Sequence, residues 1–292
     1  MSAGGGSAGG AGQEQVAAPA VRVGPDTAAD GVLRLTLARP EAGNAIDAAL
    51  AAALVAALHR AAADDAVRCV LLVAEGTNFS VGGDVRTFAA PDADPVARVG
   101  ALAQAFHELQ RRILELPVPL VVGARGWLAG AGIGLALVAD VVVLGEAARL
   151  RPAYLGIGLS PDGGASWFLT RALGPARALD VLLTDGFVTA SEALAAGLVS
   201  RVVDDVSVEA VAADVAARIA AGPAAAIRRT RVLVRSAATG GDFLAHLDAE
   251  AAAIAASAGE PDGVEGVRAF LERRPPRFGG PAAPGSTGSA TR

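Results

Sequence analysis

Gly126-Trp-Leu-Ala-Gly-Ala-Gly-Ile-Gly-Leu-Ala-Leu-Val-Ala-Asp140 is the stretch on which the reading of this chain turns. Small residues gather at Gly130, Ala131, Gly132 and Gly134, and an apolar, helix-compatible run then continues to Asp140. Such a segment reads as a glycine-rich turn opening a buried helix. Backbone can approach a ligand closely there. Free N–H groups with the positive end of the helix dipole behind them suit an oxygen that carries or develops negative charge. The expectation is an oxyanion site. Three other readings compete with it. The uncharged run between Arg125 and Asp140 is too short for a membrane span, which needs about 20 apolar residues. A buried core helix that binds nothing stays open from this stretch alone. A dinucleotide fingerprint fails, because G-x-G-x-x-G would require glycine where Leu135 stands.

The flanking segments read as strands and turns. Val67 to Ala74 is apolar apart from Arg68 and reads as a buried strand. Phe79-Ser-Val-Gly-Gly-Asp-Val-Arg86 follows as a second glycine-bearing turn, and Leu120 to Gly123 is a short strand leading into the opening stretch. Asp140 to Leu144 is another strand, apolar on both faces. Strands alternating with helices predict an α/β architecture built from β-turn-α crossovers.

Residues 1–19 are rich in Gly and Ala, with no secretory signal pattern, and read as a disordered extension. Val21 to Val23 and Val32 to Leu37 predict a hairpin. Asp47 is a candidate N-cap for a helix to about Ala63, and Pro95 to Leu116 predicts an amphipathic helix. The turn Ser160-Pro-Asp-Gly-Gly164 opens another helix. Beyond a core over residues 20–207, helices are expected at Val208 to Ala220, Pro223 to Ser236, Asp242 to Ala255 and Val264 to Arg273. These form a helical C-terminal subdomain or lid over 208–278, with a loose tail at 279–292.

The 292 residues leave room for one or two domains at about 150 residues each. A net charge of -5 argues against a nucleic-acid partner, whose phosphates demand a basic face. The 25 basic residues are all arginine. Without lysine, neither Schiff-base chemistry nor a Walker-type phosphate lysine is available. No membrane segment is expected. The single Cys69 cannot form an intramolecular disulfide, which suits a reducing cytoplasm. His59, His107 and His246 lack metal-ligand spacing and read as surface or satisfied histidines, so no metal is expected.

Six motifs in order carry a resemblance over about residues 20 to 278. They are Arg39-Pro-Glu-x-x-Asn-Ala45, Phe79-Ser-x-Gly-Gly-Asp84, the Gly126 to Asp140 stretch, Ile157-Gly-Leu-Ser-Pro-Asp-Gly-Gly164, Ala190-Ser-Glu-Ala-Leu-Ala-Ala-Gly-Leu-Val199 and Phe270-Leu-Glu-Arg-Arg-Pro275. Together they resemble the crotonase family, the enoyl-CoA hydratases and isomerases. The resemblance implies a spiral of ββα units, a helical C-terminal region, and trimers that often pair into hexamers. It also implies an acyl-CoA thioester substrate, with coenzyme A entering as part of that substrate and no separate cofactor. The thioester oxygen would sit between the backbone N–H groups of Gly83 and Ala131, the second of which is glycine in most relatives. Ala45, Gly82, Asp84, Val85, Arg86 and Tyr154 fall at substrate- or CoA-binding positions. Arg86 reads equally as a phosphate contact or as an ordinary solvated arginine.

Hydratases of this family resemble one another in two glutamates, whose positions here hold Gly134 and Tyr154. Hydration needs one group to activate water and another to manage the α-proton, so the loss of both argues against it. Asp162 remains. By itself an aspartate before Gly-Gly reads as a helix cap. In this context it resembles the catalytic aspartate of phenylacetate-pathway enoyl-CoA isomerases and the nucleophilic aspartate of 4-chlorobenzoyl-CoA dehalogenase. The expectation is therefore a Δ3,Δ2-enoyl-CoA isomerase or a related ring-opening isomerase, with Asp162 as proton shuttle and Gly83 and Ala131 as oxyanion donors. Hydration through an Asp162-bound water, an ester intermediate on Asp162, and a non-catalytic CoA-binding protein stay open as alternatives. Tyr154 reads as acyl-pocket wall, as orienter of the aspartate, or as core packing.

Overall fold

The computed structural model describes residues 19–26, 29–88 and 94–279. The extension expected over 1–19 and the tail over 279–292 lie almost wholly outside the described residues. Val21–Pro25 (β1) and Val32–Leu37 (β2) pair antiparallel. Asp47 caps Ala48–Ala63 (α1) by accepting the Leu50 N–H at 2.7 Å, and Leu50, Leu54 and Leu58 form the buried stripe of that helix. Cys69–Ala74 (β3) then lies parallel to β2. Pro95–Glu115 (α2) crosses back, and Leu120–Ala124 (β4) pairs parallel to β3.

From β4 onward a second, smaller sheet becomes visible. Trp127–Ala129 (β5) leaves the large sheet and leads into Ala131–Leu137 (α3). Val141–Gly145 (β6) returns beside β4, Arg149–Arg151 (β7) pairs with β5, and Ala165–Leu183 (α4) follows. Val188–Thr189 (β8) closes the small sheet, and Ala190–Ala195 (α5) leads to Arg201–Val203 (β9) at the edge of the large one. The large sheet runs β1-β2-β3-β4-β6-β9 and the small one β5-β7-β8. Isolated parallel bridges, Ile46 to Gly83 and Ser80 to Leu128, extend the second layer to the earlier turns of the chain. The result is a ββα spiral of the crotonase type, with successive turns contributing one strand to the large sheet and a shorter stretch to the small one.

The continuous apolar runs follow from burial on both faces. Cys69, Leu71, Val73, Val121 and Val143 face Val208–Ala220 (α6), whereas Val70, Leu72, Val122 and Leu144 face the core shared with α1 and α2. Burial pushes the Cys69 thiol up to about 12, so it stays protonated and inert. Ala224–Ala238 (α7), Phe243–Ala258 (α8) and Pro261–Leu271 (α9) complete the chain. Arg231 and Arg235 of α7 both reach Asp140, at 3.0 and 2.9 Å, which fastens that helix beside the start of β6. No single described helix is long and apolar enough to cross a membrane.

The sequence reading differs from the structure at three short strands, β5, β7 and β8, which it did not anticipate. The last helix, expected from Val264 to Arg273, instead spans Pro261–Leu271. A proline at the first helical position loses no hydrogen bond, because that N–H has no intrahelical acceptor.

Candidate active site

Two turns bring the glycine-bearing motifs together. After β3 the chain bridges to Ile46, with the Ile46 N–H donating to Gly82 O at 2.7 Å and the Asp84 N–H donating to Ile46 O at 3.0 Å. A parallel bridge that uses residues 82 and 84 leaves the Gly83 N–H on the opposite edge. After β5, Gly130 turns the chain at φ 49, and Ala131 starts α3. As the first helical residue, Ala131 has no intrahelical acceptor for its N–H. The turns touch at Gly82, whose φ is 97. A Cβ there would lie 2.9 Å from Ala129 O and 3.4 Å from Gly130 Cα, so only glycine allows the two backbones to meet.

The loops are held from behind by buried polar groups. Asn44, fully buried, donates through Nδ2 to Glu75 O and Asn78 O at 2.9 and 3.0 Å. Ser80 Oγ donates to Asn44 O at 2.9 Å and accepts the Gly82 N–H at 3.2 Å. The motif from Arg39 to Ala45 is therefore a staple for the first turn.

A cavity of about 310 Å³ opens between the turns. Gly82, Gly83, Val85, Ala131, Tyr154 and Asp162 all line it. Apolar side chains of Phe88, Leu102, Phe106, Ile157 and Leu159 complete the wall, as an acyl group requires. Asp162 is the only carboxylate among the described residues of that wall. Ala45, Asp84 and Arg86 are not brought into it. Ala45 gives its carbonyl to Arg39 at 2.9 Å. Arg86 clasps Asp84 through two nitrogens, at 2.8 and 2.9 Å, and holds that carboxyl below its ordinary range.

The Asp162 turn is gripped from several directions. The Tyr154 hydroxyl donates to Asp162 O at 2.9 Å, and Gln110 Nε2 donates to Gly163 O at 2.8 Å. Burial pushes the Tyr154 phenol above its ordinary value, so the tyrosine remains a donor and is no base. The carboxylate itself meets His107 Nε2 at 2.6 Å. The sequence reads His107 only as a surface or satisfied histidine, and its partner Asp162 is what that reading missed. The signal was faint: Phe106, His107 and Gln110 share one side of a helix, but nothing in the sequence says what that side meets. Among the described residues no group of three or more His, Cys, Asp or Glu could hold a metal ion.

The family model for enoyl-CoA hydratase/isomerase matches residues 27–281. The chain belongs to the enoyl-CoA hydratase/isomerase family. A Rhodobacter capsulatus protein named probable enoyl-CoA hydratase is 37% identical over 86% of this chain and 95% of its own length. The 1,2-epoxyphenylacetyl-CoA isomerase of Escherichia coli K12 is 34% identical over the same shares, 86% and 95%. The crystal structure of an enoyl-CoA hydratase from Mycobacterium smegmatis superposes with a TM-score of 0.81, at 30% identity, covering 89% of this chain and 99% of that one. Within this enoyl-CoA hydratase/isomerase frame, position 134 is closed to any side chain, because a Cβ there would lie 1.9 Å from Gly163 O. The turn that carries Asp162 occupies the space a carboxylate on α3 would need.

Proposed function

We propose that this member of the enoyl-CoA hydratase/isomerase family is an enoyl-CoA isomerase. The observation that carries the reading is a cavity whose described wall holds one carboxylate, Asp162, together with Gly83 and Ala131. The thioester oxygen of a 3-enoyl-CoA accepts from the Gly83 and Ala131 N–H groups. The Asp162 carboxylate removes a proton from C2, and the electrons delocalise through C3 and C4 and onto that oxygen. Each aimed donor stabilises the dienolate by about 2.7–4 kcal/mol in barrier terms. Asp162 returns the proton to C4, which leaves the double bond at C2 and the aspartate ionised again. A single carboxylate suffices because the proton taken up is the proton given back.

Two features support this over hydration. Position 134 has no room for a second carboxylate, and Tyr154 is a protonated donor bonded to backbone. On the same reading coenzyme A arrives with the substrate, no further cofactor is used, and the protein works in the cytoplasm as a homotrimer or a pair of trimers. The test is turnover of a 3-enoyl-CoA by wild type and Asp162→Asn. The asparagine variant is expected to lose about 10²–10⁴-fold in kcat, the usual worth of a positioned acid–base group. Near-full turnover by it removes Asp162 from the role. Hydration of a 2-enoyl-CoA at a rate rivalling isomerisation moves the assignment to a hydratase.

A further inference from the structure

The side chain of Asp162 is fixed by a different group from those that fix its backbone. Tyr154 and Gln110 hold the main chain of the turn through Asp162 O and Gly163 O. Phe106 lies against Gly163, where a Cβ would come within 2.5 Å of its ring. Only His107 bonds to the carboxylate in the described structure, through Nε2 to Oδ1 at 2.6 Å. Residues 106, 107 and 110 lie on consecutive turns of α2, so one helix presents packing, side-chain and backbone contacts to the same three-residue turn.

The position of the imidazole is as informative as its bond. Asp162 lines the cavity and His107 does not. The His107 side chain is 40% exposed, so it meets solvent as well as the carboxylate. With Asp162 ionised, as its role as a base requires, the carboxylate only accepts and the proton in this bond sits on Nε2. One oxygen of Asp162 is thereby engaged, and no described residue bonds the other, Oδ2.

We propose that His107 is the positioning residue of this site, which holds Asp162 Oδ1 so that Oδ2 is presented to the acyl chain. The proposal rests on the isomerase reading of Asp162 and adds to it the group that sets the carboxylate's orientation. His107 does not touch substrate. Its contribution is geometric, and misplacement of a reacting group by about 1 Å costs on the order of 10²-fold in rate.

The experiment measures kcat and KM for a 3-enoyl-CoA in His107→Ala, His107→Gln and Asp162→Asn beside wild type. His107→Ala is expected to lower kcat about 10–100-fold with KM within about twofold, since an orienting contact acts on the reacting state and leaves ground-state binding alone. Free imidazole in the assay is expected to restore part of the loss, because the vacated position is open to solvent. His107→Gln, whose amide can donate the same bond, is expected to recover most of the activity. Undiminished kcat in His107→Ala overturns the proposal. So does a loss that glutamine and imidazole both fail to relieve, which would show that the hydrogen bond is not what matters. Asp162→Asn separates the two ideas: if it keeps turnover, the isomerase reading of Asp162 fails, whereas if it alone loses turnover, only the role of His107 does.

Discussion

Gly134 shows how a missing side chain can define chemistry. A glutamate there would need its Cβ where Gly163 O already stands, 1.9 Å from the ideal position. Gly134→Glu therefore forces the Asp162 turn outward and does not restore a hydratase. Overpacking of this kind costs about 1–3 kcal/mol. The expected outcome is a melting temperature lower by about 2–4 °C for each kcal/mol, weaker isomerisation, and no gain in 2-enoyl-CoA hydration. Calorimetry and the two activity assays check it, and a folded variant with raised hydration would contradict it. Much of this site was legible as types and spacings: small residues at 82, 83, 130 and 131, and an acid before two glycines. The contact between His107 and Asp162 was not, since it joins residues 55 positions apart through side-chain directions that only the packed fold determines.

Secondary elements were legible in proportion to their length and their punctuation. α1 begins at its predicted cap and α6 follows its apolar spacing, and the two-sided strands β3, β4 and β6 betray themselves as unbroken apolar runs. β5, β7 and β8 span only two or three residues each, too few for an alternation to register. The cap of α1 also supports a test by pH. Arg39, through its hydrogen bonds, holds the Asp47 carboxyl below the ordinary range. A depressed folded value adds stability that is full above the unfolded carboxyl value, about 4, and is lost as pH falls through the folded one. Asp47→Asn retains a capping oxygen but abolishes the ion pair, worth up to about 1 kcal/mol at a partly exposed position. Its deficit against wild type is expected to be constant near neutrality and to shrink below about pH 4, as denaturant titrations at several pH values would reveal. A deficit that widens in acid would reverse the sign of the argument.

The molecule as a whole leaves a conspicuous apolar surface on its C-terminal helices. α7 is tied to its own core by Arg231 and Arg235 on Asp140, whereas α8 and α9 pack mainly on α7 and on each other. Phe243, Leu244, Ile254, Leu271 and above all Phe270, at 81% exposure, are left facing water. Covering one such side chain is worth about 1.5–3 kcal/mol, and exposed apolar patches mark interaction surfaces. The partner we expect is a second and third copy of the chain, with the helical ends of each seated against its neighbours. Light scattering after gel filtration is expected to give three or six times the monomer mass. Phe270→Asp combined with Leu271→Asp would place charge in the middle of that contact and is expected to shift the species to monomer, with far-ultraviolet circular dichroism unchanged because neither side chain is buried in the single chain. If wild type at micromolar concentration elutes with the monomer mass, or if the double variant keeps the full assembly, the exposed faces of α8 and α9 are not what joins the copies.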